Sequence, residues 1–355
     1  MEKFIHAFNL VPETGYLTLK KIWLHFGCWQ HAWELGDLGD FLNAGLSEEM
    51  AARILKLRPV IDVDAEMHRL WCGDIVAVSP SSAEFPQLLK NIDDPPFLLY
   101  RKGAPLNAGK THVAVVGTRV PSAYGEKFAM EIAEGIALNG GVVVSGLAFG
   151  IDAIAHYAAV KNNRPTVAVL ASGINRITPS SNTGLARKIL EKGGTILSEY
   201  ASGPPSFKWR FLERNRIISG LCKATIVIEA KERSGALITA DHALKQGRDI
   251  YALVGDLTRP QARGCLDLIE NGGALPITSV RGLLKDLGFD PDAQVIKNLT
   301  DEEVLVLAAV RDKPMTADEL CGKTFLLPEA LNVRLTMLEM KNLIRKNAQM
   351  KWERT

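Results

Sequence analysis

A basic and aromatic segment, residues 207–216, holds the side chains whose chemistry is easiest to interpret. It reads FKWRFLERNR, so four cations are interleaved with three aromatic rings. Cations neutralise phosphates and aromatic faces stack on bases, so this composition indicates nucleic-acid binding. The same pattern also fits the start of a helix that buries some aromatic rings and leaves its arginines in solvent. The composition leaves both interpretations open.

Two glycine-containing turns form a second candidate site. An apolar run at residues 113–116 stops at Gly117 and is followed by Thr118 and Arg119, and a run at residues 142–144 ends at Ser145 and Gly146. Helix N-termini after such turns present N–H groups and a positive dipole end to a ligand, so an anion is the expected guest. Arg119 would add a fixed positive charge. A Rossmann-like turn with a surface arginine is the alternative, and the GxGxxG spacing of dinucleotide enzymes is absent.

The acidic residues and histidines give weaker signals. Asp152 and His156 are four positions apart on a predicted helix, which fits an acid/base or metal pair. No third ligand or nucleophile accompanies them, so we favour a helix N-terminal acid with a packed histidine. Glu199 and Glu229 follow predicted strands and have no obvious partner. We therefore expect no catalytic residue, no metal site and no cofactor.

The elements that position these residues alternate between strand and helix. Apolar, β-branched runs are typical of buried parallel strands, and helical stretches separate them. The fold class is therefore α/β, with a doubly wound, mostly parallel sheet whose turns meet at one edge. The further predicted strands are Thr166–Leu170, 195–197, 224–228 and 249–254, and the predicted helices after the two turns are Thr183–Glu191, 213–221 and 235–246.

The flanking regions are predicted to form small helical domains. Residues 1–75 contain short amphipathic stretches, and Ala44-Gly45-Leu46 resembles the hairpin of helix-hairpin-helix or SAM-like modules; a structural helical cap is equally compatible. Residues 76–285 form the core. Residues 297–355 contain three helix-start signals and a final strand pattern, which together predict a winged helix.

Composition limits the class of protein. The chain has 355 residues and a net charge of +2, from 42 basic and 40 acidic residues, so nucleic-acid binding requires a local patch. Five cysteines without a CxxC pair favour a reducing compartment and argue against disulfides or structural zinc. We find neither a signal peptide nor a membrane span, and expect a cytoplasmic protein.

Several of these stretches together resemble the DprA/Smf family of bacterial DNA-processing proteins. The matching segments are GTRVPSAYG (117–125), SGLAFGIDAIAH (145–156), FLERNRIISGL (211–221), EAKERSGALITADHA (229–243) and GGA (272–274). The chain departs from the family pattern at three positions. Ser180 stands where a basic residue is common, and Leu212 and Val254 each replace a proline. Arg263 is a candidate to restore the charge that is lost at Ser180.

The resemblance implies an extended Rossmann core that binds single-stranded DNA without catalysis. It also implies a homodimer whose contact surface lies near Leu266 and Ile269. It further implies that the protein loads the RecA recombinase during natural transformation. The residues that it assigns to DNA binding are Gly117, Arg119, Ser122, Gly146, Gly150, Asn182, Lys208, Arg214 and Arg216.

Two other functions remain open at this stage. One is a Rossmann-fold nucleotide phosphoribohydrolase-like enzyme, although the position of the catalytic glutamate in such enzymes holds no acid here. The other is a protein-interaction scaffold without DNA affinity, which the near-neutral net charge would fit.

Overall fold

The computed structural model describes residues 1–201, 208–291, 299–311, 313–341 and 343–354. The chain divides into two compact units, Met1–Phe289 and Asp290–Thr355. Within the described ranges, no helix combines the length and hydropathy that crossing a bilayer requires.

A nine-stranded sheet forms the centre of the first unit. Its spatial order is β1-β2-β6-β5-β4-β3-β7-β8-β9. β1 and β2 pair antiparallel with each other, and β2 pairs antiparallel with β6; the other neighbours are parallel. The strands are β1 Ile75–Val78, β2 Leu99–Gly103, β3 His112–Val116, β4 Val142–Ser145, β5 Thr166–Leu170, β6 Thr195–Ser198, β7 Ala224–Val227, β8 Asp249–Leu253 and β9 Leu275–Ile277.

The strand order reverses direction between β3 and β7. From β3 the chain adds β4, β5 and β6 on one side, then returns and adds β7, β8 and β9 on the other side. Such a switch point leaves a crevice at the carboxyl ends of the two strands, and ligands of open α/β sheets bind there. The predicted doubly wound sheet is therefore confirmed, and its switch point lies directly after residues 113–116.

Helices cover both faces of the sheet. On β3, Val113 and Val115 face one buried core, whereas Ala114 and Val116 face the other. This burial on both faces explains why the strands are continuously apolar. The helices are α7 Gln87–Lys90, α8 Ala123–Leu138, α9 Ile151–Lys161, α10 Thr183–Glu191, α11 Lys208–Gly220, α12 Gly235–Lys245, α13 Pro260–Glu270 and α14 Val280–Asp286.

Six short helices precede the sheet and belong to the same compact unit. Phe8 packs edge-on against Trp33 and Phe41, and these rings share a buried cluster with Leu98 and Leu170 of the core. The N-terminal helices are thus continuous with the sheet through one hydrophobic cluster. They are α1 Glu2–Leu10, α2 Tyr16–Phe26, α3 Trp29–Glu34, α4 Leu38–Asn43, α5 Glu48–Leu57 and α6 Val63–Cys72.

The second unit has three helices and a two-stranded wing around its own core. The helices are α15 Asp301–Ala309, α16 Ala317–Thr324 and α17 Pro328–Met340, and the wing pairs β10 Ile344–Lys346 with β11 Trp352–Arg354. Thr300 and Thr316 cap the first two helices, each with a glutamate three positions later in a capping box. The three helix starts and the first wing strand lie where the sequence predicts them.

Most predicted core elements lie at their predicted positions, but one helix begins earlier than predicted and several elements were not predicted. Helix α11 begins at Lys208 and not at Glu213, so the described part of the basic and aromatic segment is helical; Phe207 lies outside the described residues. Helices α7, α13 and α14 and strands β1 and β9 were not predicted. The two strands are short and lie at the edges of the sheet, where little apolar periodicity is needed.

Candidate nucleic-acid interface

A cavity of about 510 Å³ lies at the switch point of the sheet, and we call it the switch-point cavity. The turn after β3, the N-terminal ends of α9 and α12, and one side of α11 form its walls. The lining residues include Gly117, Thr118, Arg119, Asp152, Phe211, Arg214, Lys231, Ser234 and Gly235. The fold therefore brings the first glycine turn and the basic and aromatic segment together, although they are about 90 residues apart in the sequence.

Two glycines of the predicted site allow helix α9 to pack against the turn after β3. A Cβ atom at Gly117 would lie 2.6 Å from Cγ1 of Ile151. Gly150 has a φ of +73°, and a Cβ there would collide with the carbonyl oxygen of Thr118. Both positions therefore require glycine because of protein neighbours, whereas the sequence predicted close approach to a ligand. They shape the cavity wall.

Gly146 has a similar structural role toward an arginine. A Cβ at this position would overlap the guanidinium of Arg214, which donates to the carbonyl oxygen of Gly146 at 2.8 Å. The same Nη1 atom donates to the carbonyl oxygen of Val169. Arg214 is thus fixed from below by main-chain acceptors at the ends of two strands.

Burial changes the electrostatics of Arg214 and Asp152. Arg214 is 5% exposed, and loss of hydration lowers its pKa to about 10, so it remains cationic at neutral pH. Burial also raises the pKa of Asp152, and the charge of Arg214 opposes that rise. Arg214 therefore contributes a permanent positive charge to the cavity wall, balanced in part by Asp152.

Arg119 is an accessible cation of the cavity. Its side chain is exposed, and its guanidinium lies 5.4 Å from the ring centroid of Phe211, within cation–π distance. Among the described residues it forms no ion pair with a carboxylate. Its charge is therefore available to an anion that enters the cavity.

Lys231 is a second accessible cation, which the sequence analysis did not single out. It is exposed, lines the cavity, and forms no ion pair within the described part of the chain. Its position in the turn after β7 could have identified it from the sequence, because the switch point places that turn beside Arg119. Ser234 and Gly235 of the same turn also line the cavity, at the N-terminus of α12.

Arg216 does not reach the cavity. It is 2% exposed, with Nη2 at 2.7 and 2.8 Å from the two carboxylate oxygens of Glu199 and Nε at 3.2 Å from Asp94. Its guanidinium also lies 4.9 Å from the ring centroid of Tyr16. Its charge is neutralised inside the protein, so the structure does not support the phosphate contact that the sequence predicted for Arg216.

Ser122 and Asn182 also lie outside the cavity lining. Ser122 caps α8 and is bound by Glu229, whose carboxylate accepts from the Ser122 amide at 2.9 Å and hydroxyl at 2.5 Å. Asn182 donates to the carbonyl oxygens of Leu147 and Ala148 at 2.9 and 3.2 Å. These two residues support the loops around the site.

Lys208 and Arg263 are two further residues that the sequence assigned to phosphate contacts. The backbone of Lys208 begins α11, and its side chain lies outside what the structure describes. Arg263, the expected substitute for the charge missing at Ser180, pairs with Asp267 on α13 at 2.9 Å. That ion pair reduces the charge that Arg263 can offer to a phosphate.

Asp152 and His156 do not form an acid/base pair. Oδ2 of Asp152 accepts from the amides of Gly146 and Ala148 at 3.1 and 3.4 Å. Nδ1 of His156 lies 2.8 Å from the Thr166 hydroxyl, and burial lowers the pKa of His156 to about 3. In the described ranges, no three acidic, histidine or cysteine side chains are grouped as metal ligands would be. Both residues support the fold, as favoured from the sequence.

Comparisons with known proteins match almost the whole chain. The family model described as DNA recombination-mediator protein A matches residues 77–288, and the DprA winged helix domain matches residues 290–348. Protein Smf from Synechocystis is 31% identical over 390 residues, which cover 98% of this chain and 97% of the relative.

Two solved structures are also similar. The X-ray structure of DNA processing protein A from Streptococcus pneumoniae has a TM-score of 0.66 at 33% identity and covers 82% of this chain and 98% of that one. The structure from Helicobacter pylori, described for the single-stranded DNA binding mode of its DNA processing protein A, has a TM-score of 0.55 at 28% identity. It covers 61% of this chain and 97% of that one.

Proposed function

Because the chain belongs to the DNA recombination-mediator protein A family, also named DprA/Smf, we propose that its switch-point cavity binds single-stranded DNA. In this role the protein protects incoming DNA during natural transformation and loads the RecA recombinase onto it. The Helicobacter pylori relative, whose single-stranded DNA binding mode has been described, supports the choice of ligand.

The observation that carries this proposal is the pairing of accessible cations with an aromatic wall in one cavity. Arg119 and Lys231 can each neutralise a phosphate, and Phe211 offers a ring face for a base. Buried Arg214 adds charge behind them. This arrangement provides the local positive patch that a chain with a net charge of only +2 needs.

The shape of the site favours an unpaired strand. Bases in a duplex are stacked and paired, so they cannot enter a cavity without being extruded, which costs a few kcal/mol. Bases of a single strand can enter directly and stack on Phe211. We therefore expect preference for single strands with little dependence on sequence at this cavity.

The acidic residue of the cavity supports binding and not hydrolysis. Asp152 is the one carboxylate that lines the switch-point cavity among the described residues, and two backbone amides already occupy its Oδ2 atom. A phosphoribohydrolase needs an acid that can reach the substrate, and this cavity offers no other. We therefore propose a role without catalysis.

Salt-dependent binding tests the proposal. Fluorescence anisotropy of a labelled oligonucleotide, first single-stranded and then duplex, would be measured across a salt series. Each neutralised phosphate contributes a slope of about −0.7 for single strands, so three or four contacts predict a slope of about −2 to −3. Arg119→Ala should weaken binding and make this slope less steep by about one contact.

Arg164→Ala is the matched control. Arg164 is also exposed, but it precedes β5 and so lies at the amino-terminal ends of the parallel strands, opposite the switch-point cavity. Its loss should leave both the affinity and the salt slope unchanged. If the parent protein does not bind at low salt, or if both variants weaken binding equally, the switch-point cavity is not the DNA site.

Two other properties of the role are also proposals. The half-buried Leu266 and Ile269 on α13 are our candidates for a homodimer contact, and Ile269 also packs against the buried core. RecA loading rests on family membership alone.

A further inference from the structure

A second cavity, of about 230 Å³, lies beside the first at the same edge of the sheet. It is formed at the carboxyl ends of β7 and β8 and at the N-terminal ends of α8 and α13. Its walls include Tyr124, Glu229, Val254, Asp256 and Arg259. Apart from Lys208, whose side chain lies outside the described part of the structure, none of the DNA contacts predicted from the sequence lines it.

An aromatic ring is held rigidly in the wall of this second cavity. The hydroxyl of Tyr124 donates to the carbonyl oxygen of Val254 at 2.7 Å, and its ring packs against Phe128 with centroids 4.7 Å apart. The Tyr124 side chain is still 38% exposed, as is that of Val254. A partly exposed ring fixed from behind loses little entropy when a planar group stacks on it.

A carboxylate is oriented at the mouth of the second cavity. Oδ1 of Asp256 accepts from the amide of Thr258 at 2.8 Å and from its hydroxyl at 2.7 Å. These hydrogen bonds lower the pKa of Asp256, so it is ionised at neutral pH. Oδ2 has a looser neighbour, Nε of Arg259 at 3.9 Å, and can still accept a hydrogen bond from a ligand.

The second acid of this cavity is already satisfied. Both carboxylate oxygens of Glu229 are engaged by the amide and hydroxyl of Ser122. The lining carries two carboxylates against the single guanidinium of Arg259, so its net charge is negative and disfavours the phosphate backbone of a nucleic acid. An aromatic wall with an available carboxylate oxygen fits a base that carries an amino group, because that amine can donate to the carboxylate.

We infer that the second cavity binds a nucleobase of the strand that occupies the switch-point cavity. It prefers bases that carry an exocyclic amine over thymine, which has none. The base stacks on Tyr124, and its amino group donates to Asp256. Cytosine, adenine and guanine carry such an amine, whereas thymine would place carbonyl oxygens near the carboxylate. This inference rests on the proposed binding of single-stranded DNA in the switch-point cavity.

The two cavities adjoin the same two chain segments, which places them within reach of one strand. The segment after β3 contributes Arg119 to the first cavity and Tyr124 to the second. The segment after β7 contributes Lys231 to the first and Glu229 to the second. A strand whose phosphates contact Arg119 and Lys231 can therefore reach the opening beside Tyr124.

The test compares two oligonucleotides of equal length, one of deoxythymidine only and one of deoxycytidine only. For each protein the ratio of the two dissociation constants is measured by anisotropy under identical salt. Asp256→Asn should shift this ratio toward thymidine by about fivefold, the factor that corresponds to one net hydrogen bond. Differences in flexibility between the oligonucleotides cancel, because the ratio is compared between variants.

Asp241→Asn is the matched control for the change in charge. Asp241 lies on α12 away from both cavities, and its side chain is 53% exposed, as is that of Asp256. Its replacement should leave the ratio unchanged.

A second pair of variants tests stacking. Tyr124→Leu should weaken binding of both oligonucleotides about fivefold or more, and Tyr124→Phe, which keeps the ring, should retain most of the affinity.

The outcomes separate this inference from the proposed function. If binding depends on Arg119 but the ratio is the same for the parent, Asp256→Asn and Asp241→Asn, the second cavity does not read bases, and the proposed function stands. The inference is equally overturned if Tyr124→Leu binds as tightly as the parent. If no oligonucleotide binds the parent protein, the proposed function itself fails.

Discussion

Arg214 and Arg216 lie two positions apart on α11, and the fold gives them different partners. Arg214 donates to main-chain carbonyl oxygens beneath the switch-point cavity. Arg216 is held by two carboxylates and the Tyr16 ring on the side of the N-terminal helices. One helix therefore joins the proposed DNA site to the N-terminal helices through neighbouring arginines.

Removing Arg216 should destabilise the protein strongly. Arg216→Ala leaves the buried Glu199 without its cation, and breaking a buried ion pair in this way costs about 3–5 kcal/mol. The midpoint of urea unfolding, followed by circular dichroism, measures the effect. Arg187→Ala is the control, because Arg187 is 76% exposed and its partner Glu191 is 3.8 Å away; it should change stability by about 0.5 kcal/mol or less. Equal shifts would show that the buried pair adds no more than a surface one.

The sequence could not assign these two arginines. The RNR pattern predicted two cations for DNA, because Glu199 lies 17 positions before Arg216 and Asp94 more than a hundred. Only the packing of β6 and the segment before β2 against α11 brings those acids to Arg216. Arg119, in contrast, was predicted correctly to lie at the sheet edge, since it follows a strand directly.

At the scale of elements, the close contact between the turn after β4 and α11 depends on a missing side chain. Gly146→Ala should push the Arg214 guanidinium away from its carbonyl acceptors. Overpacking of this kind costs about 1–3 kcal/mol, and single-strand affinity should fall because Arg214 is displaced. Thermal unfolding and anisotropy measure the two effects.

Gly184→Ala provides the comparison within the same chain. Gly184 lies near the start of α10, and a Cβ there would meet no atom within 4 Å. This change should leave DNA binding intact and stabilise the protein slightly, since alanine is the better helix former. The interpretation of Gly146 would be contradicted if both variants behaved alike.

The presence of most elements was easier to predict than their first and last residues. Buried parallel strands are apolar at nearly every position, so their pattern was clear for β3 to β8. The start of α11 was placed five residues too late, because the aromatic and basic residues before Glu213 lack a clear apolar stripe. That error matters for function, since it left Phe211 outside the helix that forms the cavity wall.

At the scale of the whole molecule, the described residues of both cavities lie within the first unit. Residues 290–355 form a separate compact unit with its own buried core. A chain that ends at Pro291 should therefore bind single-stranded DNA with an affinity within about twofold of the full chain and with the same salt slope. Anisotropy of the two proteins under matched salt provides the measurement.

Loss of affinity by tenfold or more in that shortened chain would assign a DNA contact to the winged helix. The described surface of α17 argues against this outcome. Its exposed residues include Val333, Met337 and Met340, whereas its arginine, Arg334, pairs with Glu302 at 2.8 Å. Helices that read DNA usually present several cations or amides to the grooves, whereas Asn332 is the one exposed side-chain amide on α17.

The contact between Arg119 and Phe211 has a consequence for how quickly a strand can leave. The ring already has the guanidinium near it, 5.4 Å from its centroid. A base that stacks on Phe211 takes the place of the Arg119 guanidinium, so the net gain in binding free energy is smaller than for a ring without such a partner. The lifetime of the complex is then set mainly by ionic contacts, which a competing polyanion can replace one at a time. The proposed loading of RecA would benefit from such a short residence time, because the strand has to pass from one protein to the other.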